Sequence, residues 1–191
     1  MGLFYSRFFS GFPTCNDRAT QLVMLGLDHG GKTTALYQLK LHSKIQTFTT
    51  IGCNVETIRC RSQSLTIWDI AGHEPLRSMW RTYFENSMSI IYVVDSTDIL
   101  RIDEAKEELW RALRELSEMS DAQTDAALLV YANKQDHKDA MTVAEVRDAL
   151  ELDRLQGRVW HIQGSDATTG MGLVDGLDWL SAQQRRSAAV A

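Results

Sequence analysis

The segment GLDHGGKTT, residues 26–34, constrains the fold of this chain more than any other. It follows the apolar run LVMLGL at 22–27 and opens the helical run KTTALYQLKL. Gly26, Gly31, Lys32 and Thr33 stand in the spacing G-x-x-x-x-G-K-[ST]. Glycines let a backbone curl so that successive N–H groups point inward at phosphate oxygens. Gly26, Leu27, Asp28, His29, Gly30 and Gly31 would surround such phosphates, with Thr34 at the helix start and the His29 side chain on the outer surface. Lys32 would reach the outer phosphates, the Thr33 hydroxyl would coordinate Mg²⁺, and the helix would add its positive dipole end. A plain glycine-rich turn is the alternative. A strand before and a helix after favour the phosphate loop.

A second buried strand, LLVYANKQD at 128–136, ends in Asn133-Lys134-Gln135-Asp136. A buried carboxylate at Asp136 can accept two hydrogen bonds, from the ring N–H and the exocyclic amine of guanine. Adenine offers no such pair, so the site would reject it. The periodicities predict strand 22–27, helix 32–42, strands 51–60 and 64–69, helix 75–85 and strand 89–95. Helix 101–118, strand 127–133, helix 142–151, strand 158–163 and helix 171–184 follow. Alternation with one hairpin implies an α/β fold of three layers, a mostly parallel six-stranded sheet with helices on both faces. At 191 residues the chain makes one such domain. Within the long central helix, Ile102, Ala105, Leu109, Leu113 and Leu116 recur at core spacing, and Glu107 and Arg111 stand as an i,i+4 pair.

A net charge of −5 and a pI near 5.5 argue against a nucleic-acid binder. Three cysteines, Cys15, Cys53 and Cys60, have no metal-like spacing and fit a reducing cytosol. No apolar run approaches the ~20 residues of a membrane span. The start, MGLFYSRFFSGF, places Phe4, Tyr5, Phe8, Phe9 and Phe12 on one helical face. It also fits M-G-x-x-x-[ST] through Gly2 and Ser6, the N-myristoylation pattern. One acyl chain holds a membrane only marginally, at roughly 10⁴ M⁻¹, and the aromatic face would supply the second signal. A terminal helix that packs on the domain is the other reading. Residues 1–16 are thus expected to form an amphipathic helix and hinge, 17–184 the nucleotide domain, and 185–191 a disordered tail. Cys15 is read as a free thiol, with palmitoylation as the alternative.

With these motifs the chain resembles the Arf and Arf-like small GTPases over about residues 17 to 184. The resemblance rests on GLDHGGKTT, TTIGCNVETI, WDIAGHE, LRSMWRTYF, YVVDSTD, ANKQD and GLDWL, and LYQL, WDI and MTVAEV lean toward an Arf-like member. It implies GTP and GDP as ligands, with Mg²⁺. Thr50 would be the first-switch threonine that closes on Mg²⁺ and the γ-phosphate, so Thr33 and Thr50 are the metal-site hydroxyls. Asp69 would hold the Mg²⁺ shell through water, and the Gly72 N–H would meet the γ-phosphate. Ala71 departs from the family's usual Gly. Asn133, Lys134 and Asp136 would bind the base, and the Ala167 N–H would meet the guanine oxygen. Asp166 beside it is unusual, since a carboxylate there repels that oxygen unless it points away.

The resemblance also implies partners: an exchange factor, a GTPase-activating protein, effectors, and a membrane surface reached by the N-terminus. It implies a cytoplasmic monomer, peripheral on endomembranes, the Golgi first among them, in vesicle traffic. Two positions depart from the family. His73 replaces the catalytic Gln that orients the attacking water; a neutral ring keeps one donor and one acceptor, but rigidly and with shorter reach. Hydrolysis is therefore expected to be slow without a partner's arginine, and a tolerated substitution is the other reading. Cys53 replaces a Phe in the effector patch with Trp68 and Tyr83, which would make the patch shallower. A scaffold that holds GTP without cycling is the rival function, and a P-loop kinase lacks an Arg-rich lid.

Overall fold

Among the described residues, six strands form one sheet: β1 (Thr20–Leu25), β2 (Cys53–Cys60), β3 (Gln63–Ile70), β4 (Ser89–Asp95), β5 (Ala127–Asn133) and β6 (Trp160–Gly164). Their order across the sheet is β2-β3-β1-β4-β5-β6. Only β2 and β3 pair antiparallel; every other pair is parallel. The computed structural model describes residues 20–43, 47–60, 63–84, 87, 89–119 and 126–190, without the side chains of 186–190. The N-terminal helix and hinge, with Gly2 and Cys15, lie outside the described residues.

The three-layer α/β expectation is met. The central strands β4 and β5 are buried along almost their whole length, as parallel strands covered on both faces must be. Strand alternation divides the core in two. Leu22 and Met24 face α1 (Lys32–Leu41) and α4 (Leu173–Val190), joining Ala35, Leu36, Leu177 and Leu180. Val23 and Leu25 face the other way, toward α2 (Ile102–Met119) and α3 (Val143–Ala149), joining Leu109, Leu113 and Val146. Burying these faces is what holds the layers together, at about 25 cal/mol per Å² of apolar surface.

Three elements differ from the sequence reading. The segment expected as an α-helix at 75–85 is a 3₁₀ helix, Glu74–Tyr83. Its two buried side chains, Arg77 and Trp80, stand three residues apart, and both bond back to carbonyls of the preceding loop. Arg77 Nε donates to Gly72 O (2.8 Å) and Trp80 Nε1 to Ala71 O (2.9 Å). That anchoring imposes the tighter three-residue turn over a length such helices seldom reach. Helix α3 is shorter than 142–151: Thr142 caps it in a reciprocal capping box with Glu145, and Glu151 at φ 55 starts a separate turn. Helix α4 runs on to Val190, into the segment expected to be disordered, since QQRRSAA contains no helix breaker. Arg111 also pairs differently, with Glu108 and Glu115 rather than Glu107.

The loops that follow β1, β3, β5 and β6 all emerge at the carboxyl ends of parallel strands. Ligands of open α/β sheets bind at that edge.

Candidate functional site

The β1–α1 loop begins at Gly26 (φ 137) and closes at Gly31 (φ 93), conformations that favour glycine. A side chain at Gly31 would also sit 2.3 Å from Asn133 Nδ2. Gly31 is the N-cap of α1 and brings no side-chain hydrogen bond, so the first N–H groups of the helix remain for an anion. Lys32 is buried, and its ammonium donates to Gly26 O (3.0 Å) and Leu27 O (2.7 Å), bridging the loop. Burial pulls its pKa down to about 8. His29 is exposed on the loop's outer side, as expected, with φ 60. Thr34 Oγ1 lies 3.1 Å from Thr47 Oγ1.

Thr33, Thr50 and Asp69 come together from α1, the loop before β2, and β3. Thr33 Oγ1 donates to Asp69 Oδ2 (2.6 Å) and lies 2.9 Å from Thr50 Oγ1. Asn54, which the motifs did not single out, completes the group: its Nδ2 donates to Asp69 Oδ2 (3.0 Å) and to Thr50 Oγ1 (3.3 Å). Asn54 lies directly opposite Asp69 in the β2–β3 register. The second oxygen of Asp69, Oδ1, is buried with no hydrogen-bond partner among the described residues. Burial raises the Asp69 pKa against the pull of Thr33 and Asn54. Two hydroxyls and a carboxylate with an unused oxygen are the hard oxygen donors that Mg²⁺ takes. The residues fit the ion.

At the other end, Asn133, the last residue of β5, is buried and ties two loops to the strand. Its Nδ2 donates to Gly30 O (2.8 Å), and its Oδ1 accepts from Ala167 N (2.9 Å) and Ser165 Oγ (3.3 Å). The Ala167 N–H, assigned from sequence to a base oxygen, therefore donates to Asn133 here. Lys134 sits at φ 66 and pairs with Asp95, a residue the motifs also passed over. Asp136, read as buried, has a side chain 44% exposed, with His137 Nε2 at 3.7 Å. Asp166 resolves its own puzzle. Its carboxylate turns into its own loop and accepts from Thr168 N (2.7 Å) and Thr169 Oγ1 (2.6 Å). Burial works to raise its pKa, and those hydrogen bonds outweigh it and hold the group below the usual range.

The segment after β3 lies against the phosphate loop. A Cβ on Gly72 would meet Gly26 O at 2.2 Å and Lys32 Nζ at 2.6 Å, so only glycine permits this approach. His73 is exposed at the N-cap of the 3₁₀ helix. Two arginines missed in the sequence bind this region: Arg77, buried, and Arg101, which donates to Asp28 Oδ1 (2.8 Å). Their partners lie up to 73 residues away, beyond any local pattern.

The expected patch also assembles. Trp68 and Tyr83 rings stand 5.8 Å apart, tilted at 48°. Cys53 is exposed beside them. Burial, with a hydrogen bond that the phenol donates to the Cys53 sulfur, pushes the Tyr83 pKa up to about 12. Phe48, Ile51, Val55 and Met79 leave large apolar surface exposed nearby in sequence.

Comparison with known proteins agrees with this geometry. The model of the Arf (ADP-ribosylation factor) family matches residues 8–184. Among solved structures, the Arl6 BBS3 small GTPase from Trypanosoma brucei, with bound nucleotide analogue GppNp, is similar at 32% identity and a TM-score of 0.79. The match covers 88% of this chain and 98% of that one.

Proposed function

The chain belongs to the ADP-ribosylation factor family of small GTPases, and from that premise we propose a GTP/GDP switch of the Arf-like type, recruited to membrane surfaces in vesicle-mediated protein transport. The observation that carries the reading is the meeting of Thr33, Thr50 and Asp69. Thr50 belongs to a loop with exposed neighbours, Phe48 and Ile51. A ligand that engages Thr50 and Gly72 together orders two loops at once, which is how a terminal phosphate becomes a change of surface. Mg²⁺ would be held by the Thr33 and Thr50 hydroxyls, with Asp69 on its water shell, and when bound it neutralises phosphate charge. An exchange factor, an activating protein and effectors are the partners such a cycle requires. The cytoplasmic face of endomembranes, the Golgi first, is the proposed place, reached through Gly2 acylation and the aromatic N-terminal face. Flotation with liposomes tests this: the form loaded with a non-hydrolysable GTP analogue floats and the GDP form does not. Equal flotation of both forms sinks the coupling.

Hydrolysis without a partner is proposed to be slow, because His73 offers a rigid ring where a flexible amide would align water. In single-turnover assays His73→Gln is expected to be faster by about tenfold or more. A variant no faster than wild type overturns this role. The exposed His73 also favours a second reading, a scaffold that keeps GTP bound without cycling. The nucleotide carried by freshly purified protein, and its off-rate, separate the two. Asp166 lends that reading no support, since its carboxylate is committed to its own loop.

A further inference from the structure

Asp28 occupies the phosphate loop directly after Leu27, whose carbonyl accepts from the Lys32 ammonium. Its carboxylate is close enough for its charge to act on Lys32. A third phosphate drawn to Lys32 must therefore approach a carboxylate, and like charges brought together oppose binding. A diphosphate, ending one group earlier, meets less of that repulsion.

Two guanidiniums flank Asp28. Arg101, at the entrance to α2, donates from Nη1 to Asp28 Oδ1 (2.8 Å) and from Nη2 to Asp28 O (3.4 Å). Its Nε donates to Asp98 Oδ2 (2.6 Å), which fixes the fork's orientation. Arg77 approaches the same Asp28 oxygen with Nη2 at 3.9 Å. Arg77 is 4% exposed, and it is held by Gly72 O (2.8 Å), Glu104 (2.7 Å) and Glu108 (3.5 Å). His29 Nε2, exposed, lies 3.4 Å from the other Asp28 oxygen. The carboxylate is thus turned toward α2 and the segment after Gly72, with its charge answered on that side.

We propose that the Asp28–Arg101 pair, backed by Arg77, sets the preference of the loop for a nucleoside triphosphate over a diphosphate, by neutralising the loop's own carboxylate, which would repel the outermost phosphate. The inference rests on the nucleotide-binding reading above and deepens it. Arg101 and Arg77 are specificity-determining residues here. The alternative is a structural pair that merely fastens α2 to the loop.

A charge cycle distinguishes these. Affinities for GDP and for a non-hydrolysable GTP analogue are measured by calorimetry, with Mg²⁺, on wild type, Arg101→Gln, Asp28→Asn and the double variant. Arg101→Gln should weaken the analogue by on the order of tenfold more than GDP, as an unanswered like charge at a partly solvated site does. Asp28→Asn should shift the ratio the opposite way, toward the analogue. The double variant should return to within about threefold of the wild-type ratio, the two changes being coupled. Equal losses for both nucleotides, or a double variant that fails to recover, overturn the proposal and leave nucleotide binding standing. If Arg101→Gln does not fold, Asp28→Asn alone decides, since an unchanged ratio overturns the proposal. A wild-type protein that takes up neither nucleotide overturns this inference together with the reading beneath it.

Discussion

The phosphate loop and the surface formed by β2 and the 3₁₀ helix are built on opposite plans. Around the loop the buried side chains that shape it are bonded within the chain: Lys32 to two carbonyls, Asn133 to two loops. Across β2 and its neighbours, apolar side chains stand in the open, with Ile51 93% and Phe48 81% exposed. Even the indole N–H of Trp68 is buried with no partner among the described residues. The first region spends its interactions within the chain, and the second holds them in reserve. A molecule that must grip one ligand constantly and meet others intermittently needs both.

The contrast predicts effects of falling size. Asn133→Ala should be the most damaging, because it strands the Gly30 carbonyl and the Ala167 N–H in a buried site. At ~1–3 kcal/mol for each unsatisfied group, stability should fall by about 2–6 kcal/mol. In a chain of this size that lowers the melting temperature by roughly 4–24 °C in thermal denaturation. An unchanged melting curve would break the claim that the loop end is internally committed.

The next effect is one of pH. Lys32 in the free folded protein has its pKa pulled to about 8 by burial, against 10.5 for the ordinary group. Phosphate binding needs the ammonium, so nucleotide affinity should be level below about pH 8. Above it, affinity should fall by up to about tenfold per pH unit, one proton being taken up on binding. Stability of the nucleotide-free protein should move the other way. Between about 8 and 10.5 the unfolded chain binds the extra proton, so Lys32 contributes rising stability with pH across that window. Titration calorimetry and denaturant curves across that range test both signs.

The smallest effect belongs to the open surface. Ile51→Ser should change stability by less than about 0.5 kcal/mol, since the side chain buries almost nothing. A larger loss in denaturant unfolding would show that the patch is structural and would erase the contrast.

The same division governs what could be read from the sequence. The loop and the sheet were legible because their signals are local: glycine spacing and β-branched runs. The polar partners were not. Asn54 meets Asp69 only through strand register, and Arg101 meets Asp28 across 73 residues. The helix after Gly72 looked α-helical because Leu76, Met79, Trp80 and Tyr83 fit that period. Its actual geometry follows from Arg77 and Trp80 bonding backward, which no periodicity encodes. Asp136 was read as buried from its neighbours in a buried strand, yet it lies just past the strand's end, where the chain returns to solvent.

One carboxamide, that of Asn133, has a consequence for how a ligand departs. Because it fastens the phosphate loop to the segment after β6, the two ends of the proposed nucleotide site would not slacken separately. A partner that prised open one end would then loosen the other in the same motion, a latch lifting rather than a zipper running.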